Sequence, residues 1–315
     1  MNGAQSDHGG SSLDEHQLEL RLAHLEDRLR DTQTLVQRVY EQLTPPRRDD
    51  IDALRQGLRH DRGWTGDPLV SVVIPVFNDM EGLQERSLPS VLAQTYSNWE
   101  CIVVGDGTED SSAQVVEELA DSRMRYFGLD RNGPYPSTGK DRWYVAGMNA
   151  RNTGTQLARG DWIAPLDSDD TFEPNHIEVL LRHAQGVGAV VAYGKVLVRS
   201  SDDPDGYLGS FPPDRGQFSW LGALMHGSLA LFLRDPNCRF GDEPGDWNMA
   251  RRLLDAGVRF SFLDQTVSVY HYAPKHRGRN VEDEMITELR EWASSLEEAR
   301  DYWRMRARDR GDPDA

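Results

Sequence analysis

The run LVSVVIPVFN, residues 69–78, is apolar almost throughout and rich in β-branched residues, yet too short to span a membrane; it predicts a buried parallel strand. An amphipathic stretch over residues 80–94 predicts a helix, and WECIVVGDG a second strand. A helix over 110–121 and a short strand over 124–128 complete the first half. Strand, helix, strand, helix, strand is the opening of a doubly wound α/β sheet with right-handed crossovers, in which ligands sit at the carboxyl ends of the strands. Downstream, the pattern predicts a helix over 141–158, a strand over 161–166, a helix over 175–185 and a strand over 189–199. Residues 201–216, SDDPDGYLGSFPPDRG, read as a loop. Strands over 228–233 and 258–263, a helix over 246–256 and the segment TVSVYHY follow, and a charged amphipathic helix over 282–308 ends the pattern.

The pattern before residue 69 is of another kind. Leu18, Leu22, Leu25, Leu29, Val36, Val39 and Leu43 recur in alternating steps of four and three, with Thr32 the one polar position in the seam. That stripe predicts a helix of roughly seven turns, ended by Pro45-Pro46, that either packs on the chain's own globular domain or, as the narrowness of the stripe favours, pairs two copies of the chain as a coiled coil. The expected organisation is a disordered polar tail over 1–12, a coiled-coil helix over 13–44, a linker over 45–68, a globular α/β domain over 69–280 and a C-terminal helix over 281–315.

Charge narrows the function. Of 315 residues, 35 are Lys or Arg and 52 Asp or Glu, a net charge of −17 that argues against nonspecific binding to nucleic acid or an anionic membrane. A phosphate-bearing ligand would need a metal or a local basic cluster. The two cysteines, Cys101 and Cys238, are too few for a disulfide framework and read as reduced core residues. With no apolar run of membrane-spanning length and no signal-like N-terminus, the expected location is cytoplasmic.

The densest chemistry is in APLDSDDTFEP, where Asp167, Asp169 and Asp170 follow directly on an apolar strand. Carboxylates this close raise one another's pKa unless a cation sits among them. A solvated loop in which Asp170 or Thr171 caps the next helix would show the same letters. Four stretches in order remove most of that ambiguity: SVVIPVFND, VGDGTEDSS, ARNTGTQLARGDWIAPLDSDD and GDWNMARRLLDAG. Together they resemble the family 2 glycosyltransferases, over about residues 69–273. The resemblance implies the GT-A fold, a nucleoside-diphosphate sugar donor, UDP-linked by expectation, and inverting transfer to an acceptor hydroxyl that the sequence leaves unidentified. It places Pro75, Val76, Phe77 and Asp79 around the base, and Asp106 on a pyrimidine N–H. Asp167 and Ser168 fall near the ribose, and Asp169 on Mg²⁺ or Mn²⁺. Asp246 becomes the base that deprotonates the acceptor, and His271, in SVYHYAPKH, a neighbour of the metal. Arg142 and Arg151 would neutralise phosphates. Tyr135, Trp143, Trp220 and Trp247 could stack on a sugar or sit in the core, and His226 is a candidate on the acceptor side. Two positions depart from the family pattern: Gly105 stands where a first Asp is frequent, and Gly245 replaces the Glu of a Glu-Asp pair.

Two other readings compete. DSDDT and GDEPGD match the nucleophile and metal motifs of haloacid dehalogenase-type phosphatases, which would make Asp167 an aspartyl-phosphate nucleophile. The first motif stands too late in the chain for that, and residues 237–240 make a poor strand for the second. A nucleotide-sugar-binding scaffold with little activity is the other, resting on the missing Glu before Asp246.

Overall fold

The computed structural model describes residues 63–130, 135–136, 139–200 and 204–272, and the isolated Thr32. The predicted coiled-coil and C-terminal helices lie outside these residues. By its contacts the chain divides into two units, one of residues 1–45 with Phe240–Asp242, the other of residues 46–239 with 243–315, and the second carries the fold below.

Strands β1 (Val70–Val76) and β2 (Trp99–Gly105) are buried along their whole length, as two-faced apolar runs require. They pair in parallel with each other and with β3 (Met124–Gly128) and β4 (Trp162–Pro165). The sheet continues through β8 (Ala223–His226), antiparallel to β4, then β6 (Val191–Ser200), β9 (Phe260–Tyr272) and the short β5 (Thr171–Phe172). The hairpin strand β7 (Gly206–Leu208) pairs with β6. The helices are α1 (Met80–Gly82), α2 (Leu88–Leu92), α3 (Ser112–Glu118), α4 (Gly139–Val145), α5 (Met148–Leu157), α6 (His176–Val187) and α7 (Gly245–Asp255). A π-helical turn, Leu83–Ser87, joins α1 to α2. Cys101 and Cys238 are free and buried.

Most elements fall where the apolar pattern puts them, with four differences. The helix expected over 141–158 is broken between α4 and α5 at Gly147, whose φ of +66° only glycine adopts without cost. The apolar run expected as a strand over 228–233 is a 3₁₀ turn, Gly227–Leu231; the strand is the preceding β8, every residue of which is buried between β4 and β6. The segments on either side of Asp264 form one continuous strand, β9, its register with β6 shifted near Lys195. The loop over 201–216 contains β7.

Candidate functional site

The first wall of the site follows from register. Val76 and Gly105 are paired last residues of β1 and β2, so the chain leaves both strands side by side, and the Asp106 N–H donates to the Val76 carbonyl at 2.8 Å. Asn78, at φ +48°, accepts from the Glu109 N–H at 2.9 Å, and its own N–H donates to the Thr108 hydroxyl at 2.9 Å. Asp110 accepts from the Met80 N–H at 2.9 Å and from the Ser112 N–H at 3.0 Å. Burial alone would raise the Asp110 pKa, but the bonds from Ser112, Thr108 and Met80 hold it below the usual carboxylate range. Asp106 is 1% exposed; its Oδ2 accepts from the Tyr135 hydroxyl, and its Oδ1 has no hydrogen-bond partner among the described residues. At Gly105, where the family often has an acid, a Cβ would lie 2.0 Å from the Tyr126 hydroxyl, so any side chain there requires the Tyr126 ring to move.

At these strand ends lies a cavity of about 370 Å³, whose walls include Pro75, Val76, Phe77, Asp79, Asp106, Arg151, Asp167, Ser168 and Asp169. The acidic turn after β4 forms its far side. Leu166 stays in the sheet through its N–H to the Val73 carbonyl at 3.0 Å, and the Asp170 N–H closes the turn on the Asp167 carbonyl at 3.2 Å. Asp167 is paired with Arg151 at 2.6 Å, and Ser168 donates to Asp79 at 2.7 Å. Arg86, carried in by the π-helical turn, donates to the Asp169 carbonyl at 3.1 Å. Burial would lower the Arg151 pKa, yet the Asp167 and Asp246 charges raise it above the ordinary arginine value, so the guanidinium stays charged. Asp170 is pushed well up, first by burial and then by the Asp169 and Asp167 charges. That is the repulsion the sequence predicts for this turn.

A second cavity, of about 590 Å³, shares Ala146, Arg151 and Asp167 with the first and contains Asp246, Trp143, Trp247 and Tyr272. Asp246 stands in the first turn of α7 with its side chain 48% exposed, and Arg234 Nε donates to its Oδ1 at 3.1 Å. The Arg234 backbone is clamped by Asn152 through bonds of 2.9 and 3.0 Å. Burial lowers the Arg234 pKa, against the pull of the Asp246 charge. Gly245 is forced by packing: a Cβ would lie 2.5 Å from the Met148 methyl and 2.9 Å from the Tyr144 carbonyl, so a Glu cannot stand there without displacing α4 and α5.

The structure thus brings together, around two adjoining cavities, all but four of the predicted site residues. Arg142, His271, Tyr135 and His226 border neither cavity. Arg142 lies over the Tyr135 ring at 5.7 Å. The His271 N–H donates to Asp170 Oδ1 at 2.8 Å while its Nε2 is 3.1 Å from the Thr171 hydroxyl, because β5 pairs with β9 beside it. Burial, then Arg86 and Arg199, lower its pKa. His226 belongs to the core, stacked on Trp64 at 5.0 Å and edge-on to Trp162. Trp220 is also buried, its indole N–H donating to the Asp246 carbonyl at 2.9 Å. Arg86, Arg234 and Asn152 were not legible as site residues, since nothing local marks that Arg86 will meet the acidic turn, or Asn152 the Arg234 backbone, some eighty positions away. The Asx turn in which Asp110 accepts from the Ser112 N–H was there to be read.

Residues 71–241, more than half of the chain, match the profile described as Glycosyl transferase family 2. The succinoglycan biosynthesis protein ExoO of Rhizobium meliloti (strain 1021) is 35% identical over 136 residues, 43% of this chain and 35% of that protein. The UDP-Glc:alpha-D-GlcNAc-diphosphoundecaprenol beta-1,3-glucosyltransferase WfgD of Escherichia coli is 35% identical over 113 residues, 36% of this chain and 40% of that one. The chain therefore spans well under half the length of these relatives. Among solved structures, S. aureus TarS 1–349 in complex with UDP superposes with a TM-score of 0.51 at 17% identity, covering 65% of this chain and 61% of that one. The fold is GT-A, and the chain belongs to glycosyltransferase family 2.

Proposed function

We propose that this chain transfers a sugar, with inversion, from a UDP-linked donor to an acceptor hydroxyl in the synthesis of a surface polysaccharide. The observation that carries the reading is the meeting of two cavities at the Arg151–Asp167 pair, with Asp106 in the wall of one and Asp246 in the other. A donor whose base lies against Asp106 and whose diphosphate lies near Arg151 would present its anomeric carbon toward the cavity that holds Asp246. The relatives named for succinoglycan and for a glucosyl transfer, and TarS with its UDP, support the reaction class and the donor.

In this reading the Asp246 carboxylate takes the proton of the acceptor hydroxyl as its oxygen attacks the anomeric carbon. The bond from that carbon to the diphosphate oxygen breaks on the opposite face. Arg234 holds one Asp246 oxygen and so orients the other. Arg151 faces the negative charge that grows on the leaving diphosphate. A divalent ion fits the acidic turn by its donors: among the described residues no three His, Cys, Asp or Glu side chains form a ready cage, yet Asp167 and Asp169 both stand in the wall of the first cavity. One carboxylate completed by donor phosphate oxygens is how Mg²⁺ is commonly held. Asp169 would hold the Mg²⁺ or Mn²⁺, which would supply charge neutralisation at the diphosphate. His271 is left out of this set. The heptad seam over 13–44 belongs to the same proposal as a homodimer contact.

Calorimetric titration of a nucleoside-diphosphate sugar panel with Mn²⁺, followed by assay of donor hydrolysis, tests the reading. Asp169→Asn should remove both turnover and the effect of metal on donor affinity. Asp246→Asn should keep donor affinity and lower turnover by a factor on the order of 10² to 10⁴. Equal loss of donor affinity in both variants would contradict the assigned roles. Donor binding without any turnover would favour the scaffold reading, whose main support, the missing Glu, has a packing explanation at Gly245. The phosphatase reading loses ground because Pro236–Gly241 is a 3₁₀ turn rather than a strand.

A further inference from the structure

We infer that Tyr135 is a positioning residue that makes the donor site selective for a base presenting a ring N–H, uracil over cytosine; this rests on the donor-site reading above. The Tyr135 ring is packed against Tyr144, Val145, Met148 and Cys238, and Arg142 lies over it at 5.7 Å. From there the hydroxyl donates to Oδ2 of the buried Asp106. Burial, then the bond to Asp106, raise the Tyr135 pKa, so the phenol keeps its proton and remains a donor.

The consequence falls on the other oxygen. Oδ1 of Asp106 is buried without a hydrogen-bond partner among the described residues, in a residue that forms part of the cavity wall. An unmet acceptor of this kind is costly unless a ligand supplies a donor. An ionised carboxylate offers only lone pairs; with Oδ2 held by an anchored aromatic ring, its plane is fixed and Oδ1 is the oxygen left to meet the base in one direction. Uracil, whose N3 carries a hydrogen, meets it with a charge-assisted bond; cytosine, whose N3 carries a lone pair, meets it with repulsion. The selectivity therefore depends on Tyr135 as well as on the aspartate.

Isothermal titration of UDP and CDP against the whole chain with Mn²⁺ tests this, and it needs no knowledge of the sugar or the acceptor. The native protein should bind UDP at least about tenfold more tightly than CDP. Tyr135→Phe keeps the packed ring and removes the hydroxyl. It should weaken UDP by about tenfold and CDP by much less, collapsing the ratio. Asp106→Asn should invert the preference toward CDP while Tyr135 is present, because the hydroxyl holds the amide oxygen and leaves the amide N–H₂ for the base. In the double variant with Tyr135→Phe the inversion should disappear. Thermal unfolding of each variant identifies any loss due to misfolding, and a ratio is insensitive to a smaller active fraction. A Tyr135→Phe variant with the native UDP-to-CDP ratio, or with both nucleotides weakened equally, overturns the role of Tyr135 and leaves the donor site standing. A native protein that binds neither nucleotide overturns the donor-site reading, and this inference with it.

Discussion

His176 is the side chain through which mild acid should act on the folded state. It is fully buried, its ring stacked on Phe172 at a centroid separation of 3.7 Å and its Nδ1 2.9 Å from the Val267 carbonyl. Burial lowers its pKa from 6.5 to about 3. The unfolded chain binds a proton at this residue below about pH 6.5, while the folded chain does not until near pH 3, so the contribution is intact above pH 6.5 and is lost progressively as pH falls. The expected slope is about 1.4 kcal/mol of unfolding free energy per pH unit. Urea unfolding at pH 7, 6 and 5 measures it, and His176→Gln should flatten that part of the profile. From the sequence alone His176 is an ordinary helix-start residue, because burial depends on β9, whose Val267 lies 91 positions later. Asp106, Asp167, Asp169 and Asp246 could be named in advance because each stands at the end of a readable strand or the start of a readable helix. Their partners Arg86 and Arg234 could not, and Tyr135 could be named only as a ring for a sugar or the core, not as the partner of Asp106.

At the level of elements, the break between α4 and α5 does the most for the site. Gly147 turns the chain at φ +66°, and a Cβ there would lie 2.6 Å from an Arg151 guanidinium nitrogen. The turn also leaves the Ala146 carbonyl free to accept from Arg151 at 2.7 Å. Gly147→Ala should cost about 1–2 kcal/mol of stability from the left-handed backbone alone. It should also weaken nucleoside-diphosphate binding by displacing Arg151; thermal unfolding and titration calorimetry on the same variant separate the two effects. The amphipathic pattern runs through this break without a sign of it, since periodicity reports which face is apolar and not where φ changes sign. The same limit explains the misplaced strand at 228–233. Apolar runs on both sides of Gly227 compete for the gap between β4 and β6, and only pairing with Trp162–Ile163 and Val191–Tyr193 selects Ala223–His226.

For the molecule as a whole, the heptad seam predicts a dimer. Sedimentation analysis should return twice the chain mass, and a Leu22→Lys, Leu29→Lys double variant should return the single chain. The sequence by itself determined the parallel half of the sheet, the order of its elements and the carboxylates at their ends, because continuous apolar runs, helical periodicity and strand-end acids are local properties. It also determined the family, through four ordered motifs. The tertiary structure alone decided that β8 enters antiparallel beside β4, that the cavities of Asp106 and Asp246 adjoin at Arg151, and that Gly245 is demanded by the Tyr144 carbonyl and the Met148 methyl rather than lost from a motif. These outcomes depend on which distant side chains fill a given volume, and close packing between segments far apart in the chain leaves no periodic trace along it.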